Sequence, residues 1–206
     1  MPAQGPFAPC ERVKMKRVKR AATVHNDIKE VIFTEEEIRS RVSEIGRALT
    51  AQYADPAARG EGVIIISVLC GAAIFMADLV REMAVPVEMD YMAVSSYGSG
   101  AKSSGVVRIL KDLTSDIKGK HVIIAEDILD SGLTLTYLLK NLASREPASL
   151  EVVTLLRKKT RAQAEIDCAH VGFECPDEFI VGYGLDYAER YRNLPYIGIL
   201  KPEIYG

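Results

Sequence analysis

The sequence predicts an α/β fold with a mostly parallel sheet flanked by helices. Residues 63–68 and 122–125 are continuous apolar runs, which are typical of strands buried on both faces. Each run is followed by apolar residues at helical spacing, and a third strand pattern occurs at residues 150–156. Because strands that alternate with helices form parallel sheets with helices on both faces, we expect one domain of this kind.

The first predicted helix begins after Thr34. Glu37 follows three residues later, which is the pattern of a capping box. The apolar residues that recur along one side of this segment are Ile38, Val42, Ile45 and Leu49. We expect this side to lie against the sheet.

The next predicted unit is a strand, a turn and a helix. The strand at residues 63–68 is followed by Gly71, and then by Ile74, Met76 and Leu79 at helical spacing. This is the repeating unit of a parallel sheet.

A long hairpin is expected after this unit. Residues 85–93 and 106–110 have strand character, whereas residues 98–105 are small and polar. Loops of this kind are usually surface excursions, but long loops also form lids.

The composition fits a single domain with a basic extension. The chain has 206 residues, 48% of them hydrophobic, which is enough for one well-buried core. Residues 1–20 carry six basic side chains and one acidic one, a net charge of +5. Because the whole chain has a net charge of −2, the remaining residues carry −7. We expect residues 1–23 to be a disordered basic tail and residues 24–206 to form the domain.

The cysteines and the hydropathy pattern predict a cytoplasmic protein. Cys10, Cys70, Cys168 and Cys175 form no Cys-x-x-Cys pair, and neither a signal peptide nor a long apolar span is evident. Cys168, His170 and Cys175 lie close in sequence, but their spacing matches no zinc pattern, so we interpret them as structural.

The most informative segment is residues 121–135, where an apolar strand leads into a helix. The helix is indicated by the spacing of Leu135, Leu138, Leu139 and Leu142. The polar residues before it are therefore expected on the turn between strand and helix. Open α/β sheets bind ligands at such turns.

This turn offers two kinds of binding group. Ser131, Gly132 and Thr134 provide hydroxyls, a flexible backbone and a helix N-terminus that favours an anion such as phosphate. Glu126 and Asp127, when ionised, only accept hydrogen bonds, which would repel a phosphate but suit the vicinal hydroxyls of a ribose. The predicted ligand is a ribose 5-phosphate.

A nucleotide-binding loop or a simple helix cap would account for less of this segment. Neither the dinucleotide pattern Gly-x-Gly-x-x-Gly nor a Walker A loop occurs at the turn. Asp130 and Ser131 could instead cap the following helix, a common duty of these residue types. Capping would leave Glu126 and Asp127 unexplained.

The run Glu-Asp-Ile-Leu-Asp-Ser-Gly-Leu-Thr at residues 126–134 resembles the phosphoribosyl pyrophosphate (PRPP) motif of the type I phosphoribosyltransferases. Four further segments resemble the hypoxanthine-guanine phosphoribosyltransferases in their order and approximate spacing. They are Val-Leu-Cys-Gly-Ala at 68–72, Ser-Ser-Tyr-Gly at 95–98, Leu-Leu-Arg-Lys-Lys-Thr at 155–160 and Phe-Ile-Val-Gly-Tyr-Gly-Leu-Asp-Tyr at 179–187. The resemblance extends from about Asp27 to the C-terminus.

The resemblance implies a type I phosphoribosyltransferase fold with two additions to the sheet. The first is a flexible lid hairpin, with its loop at about residues 94–106. The second is a small hood lobe that binds the purine and comes mainly from residues 157–206.

The resemblance also implies a set of binding residues. The ribose and 5-phosphate of PRPP are expected at Glu126, Asp127, Asp130, Ser131, Gly132, Leu133 and Thr134. Pyrophosphate is expected at Leu69, Cys70, Gly71 and Arg192. The lid dipeptide would be Ser96 and Tyr97. The purine is expected at Lys158, Phe179, Ile180 and Asp186. Mg²⁺ ions are expected near Glu126, Asp127 and Asp186.

Relatives often carry Lys or Arg where Cys70 stands. The family contact at this position is largely through the backbone, so we expect activity to survive the difference.

Asp130 and Lys158 have the most specific implied roles. Asp130 resembles the family's general base, which exchanges a proton with purine N7. The ammonium of Lys158 has three donors and no acceptor, so directed at purine position 6 it favours an oxo group over an amino group. Such complementarity can discriminate by about 10⁴. Guanine and hypoxanthine are therefore expected to bind, and adenine to be rejected.

The implied activity is the conversion of PRPP and a 6-oxopurine to IMP or GMP plus pyrophosphate, in purine salvage. A preference for xanthine stays open, as does a nucleotide-sensing regulator of the same fold, for which the basic tail is an argument. The acidic body disfavours nucleic acid as a partner. The resemblance further implies a homo-oligomer, a dimer or a tetramer, and no membrane association.

Overall fold

The computed structural model describes residues 25–96, 107–158 and 166–206. In chain order the elements are β1 (Ile28–Phe33), α1 (Glu35–Ala58), β2 (Val63–Val68), α2 (Ala73–Arg81), β3 (Glu88–Ser96), β4 (Val107–Lys111), β5 (His121–Leu129), α3 (Leu133–Ala143), β6 (Ser149–Lys158), β7 (His170–Cys175), β8 (Ile180–Val181), β9 (Ile197–Leu200) and α4 (Pro202–Tyr205).

Six of the strands form the larger sheet, in the order β4-β3-β2-β5-β6-β7. Neighbouring strands from β3 to β7 are parallel, and β4 is antiparallel to β3. The predicted α/β fold with a mostly parallel sheet is confirmed. The predicted strand at residues 63–68 is observed with the same bounds.

Helices cover both faces of this sheet. Successive residues of a strand point to opposite faces, so Val63 and Ile65 of β2 share a core with α1 and α2, whereas Ile64 and Ile66 share a core with Leu138 of α3. The N-terminus of α1 has the predicted capping box, in which Thr34 and Glu37 each accept a hydrogen bond from the other's backbone N–H. The carboxyl ends of the parallel strands therefore meet at one edge of a well-buried sheet.

The strand β5 is longer than predicted. Its parallel pairing with β6 continues as far as Leu129, which lies opposite Arg157. Glu126 and Asp127 consequently lie on the strand and not on the turn after it. The apolar run stops at Ala125, so the local pattern does not reveal that inter-strand hydrogen bonds extend the strand past the acidic pair.

Two smaller expectations also need correction. The strand expected at residues 85–93 is β3, which begins only at Glu88, after Pro86, a residue that has no backbone N–H for the ladder. In α2, Ile74 is half-exposed, and Phe75 is buried in its place beside Met76.

The second sheet has three antiparallel strands in the order β1-β9-β8. Strand β1 precedes α1, yet it pairs with β9, with Ile28 opposite Leu200. The backbone N–H of Lys201 also donates to the Asp27 carbonyl at 2.9 Å. This small lobe therefore joins the two ends of the described chain. Strand β1 is not among the predicted elements, because its apolar residues do not alternate strictly.

Several predicted features lie outside the described residues. These are the tail at 1–23, Tyr97 and most of the loop expected at 94–106. Ser96 ends β3, where its backbone lies opposite Val107. In the part of the chain that the structure describes, no helix is long and apolar enough to cross a membrane.

A nearly buried carboxylate fixes β3 to the connection that follows β4. Asp90 accepts hydrogen bonds from the backbone N–H of Thr114 at 2.6 Å and of Tyr91 at 2.7 Å, and from the Lys111 ammonium at 3.0 Å. Burial by itself raises the pKa of Asp90, but these hydrogen bonds together outweigh it and lower the pKa to about 2.

We expect Asp90→Asn to lower the free energy of unfolding at pH 7 by about 2–4 kcal/mol, because it leaves nearly buried donors without a charged acceptor. The ionised form stabilises the fold above the pKa of the unfolded chain, near 4, so the difference from wild type should shrink as the pH falls from about 4 towards 2. Urea unfolding at pH 7 and pH 3 measures both effects.

The matched control is Glu88→Gln, which removes the more exposed partner of a Lys120 ion pair and should cost less than about 1 kcal/mol. If both variants lower the free energy of unfolding equally, Asp90 does not stabilise the fold more than an exposed ion-pair partner does.

Candidate active site

Three segments at the carboxyl ends of parallel strands meet at one edge of the larger sheet. They are the turn at residues 69–71 after β2, residues 126–134 at the end of β5, and Lys158 at the end of β6. The middle strand, β5, lies between the other two. This edge therefore brings together most of the sequence-predicted binding residues of the sheet.

The acidic pair of β5 is strongly desolvated. Burial, followed by repulsion from the neighbouring Asp127, raises the pKa of Glu126 to about 8. Burial also raises the pKa of Asp127, although hydrogen bonds from backbone N–H groups and the charge of Arg192 oppose that shift. The Oε2 atom of Glu126 is buried and has no hydrogen-bond partner among the described residues. A buried acceptor without a partner is costly, so it favours a ligand that donates hydrogen bonds or carries positive charge.

The turn at 69–71 packs directly on this pair. The peptide bond between Leu69 and Cys70 is cis. A Cβ atom at Gly71 would overlap the Asp127 carboxylate, and a Cβ atom at Gly184 would overlap the Gly71 carbonyl oxygen. Asp127, Gly71 and Gly184 thus form three layers in contact, and the two glycine positions admit only glycine in this arrangement.

Arg192 and Asp186 extend these layers. The Nη1 atom of Arg192 donates to the Gly184 carbonyl at 2.8 Å, and its Nη2 atom lies 2.9 Å from Asp186 Oδ1. Asp186 Oδ2 accepts a hydrogen bond from the Glu189 backbone N–H at 2.9 Å. The structure therefore brings Arg192 and Asp186 together beside the 69–71 turn.

The N-terminus of α3 has no side-chain cap. Its N-cap residue is Gly132, in the left-handed conformation with φ of 73°. The alternative that Asp130 or Ser131 caps this helix is therefore wrong. Among the residues that the structure describes, no side chain accepts a hydrogen bond from the first-turn N–H groups, which leaves them suited to an anion.

Lys158 lies between two carboxylates. Its Nζ atom is 3.4 Å from Asp177 Oδ1 and 3.7 Å from Asp130 Oδ2. The Lys158 side chain is 16% exposed, whereas that of Asp130 is 58% exposed. A largely buried ammonium thus faces an accessible carboxylate, next to the uncapped helix.

Aromatic rings surround Phe179. Tyr205 stacks on it with centroids 4.8 Å apart and an interplanar angle of 24°, and the Tyr187 ring lies edge-on at 5.4 Å. Phe179 itself is 37% exposed, whereas Ile180 is buried in β8. An exposed ring held by two others can serve as a stacking platform.

The chain is similar to known proteins over most of its length. A family model described as a phosphoribosyl transferase domain matches residues 36–188. The chain is 55% identical over 180 residues to a Mycobacterium avium protein named hypoxanthine-guanine phosphoribosyltransferase, and the match covers 87% of this chain and 89% of the relative. The chain belongs to the hypoxanthine-guanine phosphoribosyltransferase family.

Solved structures of hypoxanthine phosphoribosyltransferases have the same fold. One from Staphylococcus aureus superposes with a TM-score of 0.84 at 48% identity, covering 91% of this chain and all of that chain. One from Trypanosoma cruzi, in complex with the product IMP, superposes with a TM-score of 0.81 at 40% identity, covering 89% of this chain and all of that chain. The family resemblance drawn from the sequence motifs is confirmed.

Some residues that shape this phosphoribosyltransferase site are absent from the sequence-predicted set. No motif gave a role to Asp177, Tyr187 or Tyr205, although Asp177 lies only two residues before Phe179. Gly184 belongs to the segment at 179–187 that resembles the family, but the resemblance assigned it no role. Its contact with Gly71 joins residues far apart in sequence, so no local pattern could reveal it.

The raised pKa of Glu126 predicts a pH-dependent effect of Glu126→Gln. Ionisation of the buried carboxyl costs the folded state free energy, and the cost appears as the pH rises from about 4.3, the pKa of an unfolded chain, through about 8. The variant should therefore be more stable than wild type by about 1–3 kcal/mol at pH 9, and nearly equal to it at pH 5. Urea unfolding in EDTA without ligands measures this difference.

Glu30→Gln, on an exposed position of β1, is the control and should show no such pH dependence. If the free energies of unfolding of Glu126→Gln and wild type differ by the same amount at pH 5 and pH 9, the pKa of Glu126 is not raised by burial.

Proposed function

We propose that this chain transfers the 5-phosphoribosyl group from PRPP to N9 of hypoxanthine or guanine, giving IMP or GMP plus pyrophosphate, and so serves purine salvage. The observation that carries the proposal is the half-buried acidic pair of β5, with its buried Glu126 Oε2 atom, beside the uncapped N-terminus of α3. Carboxylates suit ribose hydroxyls, and a free helix N-terminus suits a phosphate. The activity named for relatives at about 50% identity supports the same reaction.

The 5-phosphate would bind at the start of α3. The backbone N–H groups of Leu133 and Thr134 belong to its uncapped first turn, and Ser131 adds a hydroxyl donor. The left-handed Gly132 lets the chain turn tightly from β5 into the helix. The negative charge of the phosphate would also interact favourably with the helix dipole.

The ribose would bind at the acidic pair. Glu126 Oε2 has no partner in the described structure, and a ribose hydroxyl is a donor that could satisfy it. Asp127 is held by its contact with Gly71, so its carboxylate has a fixed position next to the turn.

The pyrophosphate would lie between the 69–71 turn and Arg192. A guanidinium presents a planar fork of donors that matches phosphate oxygens. The hydrogen bond to Gly184 and the ion pair with Asp186 hold Arg192 beside the turn. Leu69, Cys70 and Gly71 would contribute through their backbone, so the absence of a basic side chain at Cys70 is compatible with this role.

The purine would stack on Phe179, with Lys158 at its 6-oxo group, the Ile180 backbone at its edge and Asp186 nearby. Asp177 lies close to Lys158 in space and to Phe179 in sequence, and this supports a common subsite. Because an ammonium donates hydrogen bonds but cannot accept them, the amino group of adenine would stay unpaired there.

Asp130 would act as the general base. Breaking the bond from ribose C1 to pyrophosphate develops positive charge on the sugar, while the attacking purine must lose a proton. The Asp130 carboxylate is exposed and close to Lys158, so a purine bound at Lys158 would lie within its reach. Fixed alignment of the two substrates and charge stabilisation would provide the remaining rate enhancement.

Mg²⁺ is part of this proposal. No group of three or more metal-binding side chains occurs among the described residues, but Mg²⁺ is commonly held by one or two carboxylates together with phosphate oxygens of the substrate. Glu126, Asp127 and Asp186 offer the oxygen donors that such an ion prefers, and the unpartnered Glu126 Oε2 fits it. When bound, Mg²⁺ would neutralise charge on the pyrophosphate.

Three further expectations belong to the proposal. The lid dipeptide Ser96 and Tyr97 would close over PRPP and exclude water. The chain would form a homo-dimer or a homo-tetramer, as family membership suggests. It would act in the cytoplasm, without a membrane or nucleic-acid partner.

The proposal is tested by pyrophosphate release from PRPP and Mg²⁺ with each of four bases. We expect turnover with hypoxanthine and guanine and at least about 10⁴-fold lower kcat/KM with adenine, because of Lys158. A higher kcat/KM with xanthine would replace the proposed specificity by the xanthine alternative. Tight PRPP binding without turnover of any base would instead favour a nucleotide-sensing regulator.

The role of Lys158 has its own test. Lys158→Gln replaces an ammonium by an amide that both donates and accepts, so we expect the ratio of kcat/KM for hypoxanthine to that for adenine to fall at least about tenfold. Lys140→Gln, on an exposed position of α3, is the control and should leave the ratio unchanged. An unchanged ratio in Lys158→Gln would assign the rejection of adenine to other groups.

A further inference from the structure

A hydrogen bond between Tyr183 and Asp78 lies behind the 69–71 turn. The Tyr183 hydroxyl donates to Asp78 Oδ2 at 2.8 Å, across 105 residues of sequence. Asp78 belongs to α2, which begins two residues after Gly71. Tyr183 immediately precedes Gly184, which packs on the Gly71 carbonyl. The same two segments are therefore joined twice, once by backbone contact and once by this hydrogen bond.

The position of Arg192 depends on the segment that Tyr183 anchors. Gly184 and Arg192 exchange two hydrogen bonds, one from the Gly184 N–H to the Arg192 carbonyl at 3.0 Å and one from Arg192 Nη1 to the Gly184 carbonyl at 2.8 Å. A displacement of residues 183–184 relative to α2 would therefore move the guanidinium relative to the 69–71 turn.

Both packing and a hydrogen bond hold the Tyr183 ring in place, since the residue is only 8% exposed and belongs to the core on the α1 and α2 side of the sheet. A cavity of about 470 Å³ lies beside it, and its lining includes Asp78, Tyr183, Arg192, Ile74 and Leu194. Packing is incomplete on the side of this cavity, so the hydroxyl contact adds a directional restraint that core packing alone does not provide there. Burial, followed by the hydrogen bond to Asp78, raises the pKa of Tyr183, so the phenol stays neutral and remains a donor.

We propose that Tyr183 and Asp78 are positioning residues that hold Arg192 and the 69–71 turn at the separation needed to grip the pyrophosphate group of PRPP. The proposal rests on the proposed function for the identity of that group. Neither side chain needs to touch PRPP, and neither belongs to the aromatic group of Phe179, Tyr187 and Tyr205. Their loss should therefore weaken the binding of pyrophosphate and leave the binding of the purine unchanged.

Tyr183→Phe is the primary test, because it removes the hydroxyl and keeps the ring. The chain offers a matched control in Tyr191→Phe, since the Tyr191 hydroxyl also donates to an aspartate, Asp27 Oδ2 at 2.7 Å. Both tyrosines lie between β8 and β9, but the Tyr191 bond reaches the N-terminal segment and not α2. We expect Tyr183→Phe to raise the KM for PRPP and the Kd for Mg²⁺-pyrophosphate about tenfold, with the KM for hypoxanthine within about twofold. Tyr191→Phe should leave all three within about twofold of wild type.

Variants of Asp78 test the same contact from the other side. Asp78→Asn keeps an acceptor for the hydroxyl and should stay close to wild type, whereas Asp78→Ala should match Tyr183→Phe. Asp78→Ala also removes a long, exposed ion pair with Arg81 at 3.9 Å, which should contribute little. The double variant Asp78→Ala with Tyr183→Phe should therefore be no worse than Asp78→Ala alone, because the hydrogen bond between the two residues is already lost. Thermal unfolding of each variant measures any general loss of stability.

Two outcomes would overturn the inference. The first is that Tyr183→Phe and Tyr191→Phe change the KM for PRPP and the Kd for Mg²⁺-pyrophosphate equally. The second is that Tyr183→Phe weakens the binding of PRPP and of hypoxanthine to the same extent, which would indicate a general loosening of the site. If wild type binds pyrophosphate but does not turn over any base, the proposed function fails. The ratio of the pyrophosphate Kd of Tyr183→Phe to that of wild type still tests the inference in that case.

Discussion

The close packing of two adjacent, half-buried carboxylates at the end of β5 is the constraint around which this site is built. Asp127 contacts Gly71, Gly71 contacts Gly184, and Gly184 holds Arg192 by hydrogen bonds. Each layer comes from a different part of the chain, and each glycine is required because a Cβ atom would overlap the layer beneath it. A shift of the Asp127 carboxylate would therefore be transmitted through the 69–71 turn to the guanidinium.

This arrangement prepares the site for a ligand at some cost to the free protein. Desolvation raises the pKa of Glu126 to about 8, and Oε2 has no partner in the described structure. Natural proteins commonly keep such locally unfavourable groups where a ligand must bind. The cost is offset by the sheet, in which β2 is almost wholly buried and β5 is buried over residues 122–125, and by supporting contacts such as those of Asp90.

The parts of the fold that were predictable from the sequence are those with local signals. The capping box at Thr34 and the apolar run at 63–68 are short-range patterns, and the structure has both. Strand β1 and the extension of β5 past Ala125 depend on pairing with distant strands, so neither has a local signal. At the site, motif resemblance located Lys158 and Arg192 as candidates, but the layer formed by Gly71 and Gly184 and the hydrogen bond between Tyr183 and Asp78 require the tertiary structure. Non-local contacts of this kind leave no periodicity in the sequence.

The segment between β8 and β9 links the two ends of the proposed site. It follows Phe179 and Ile180, turns through residues 182–184 with three consecutive positive φ angles, and returns past Asp186 to Arg192. Its backbone is closed on itself by the hydrogen bond from Tyr183 N–H to the Leu194 carbonyl at 2.9 Å. The guanidinium of Arg192 and the Tyr187 ring, which lies edge-on to Phe179, are therefore carried by one internally bonded segment. This segment rests on the 69–71 turn at one side and is continuous with the small sheet at the other. A ligand that orders Arg192 would also restrict Tyr187, because hydrogen bonds between Tyr187 and Arg190 and between Gly184 and Arg192 hold this segment together.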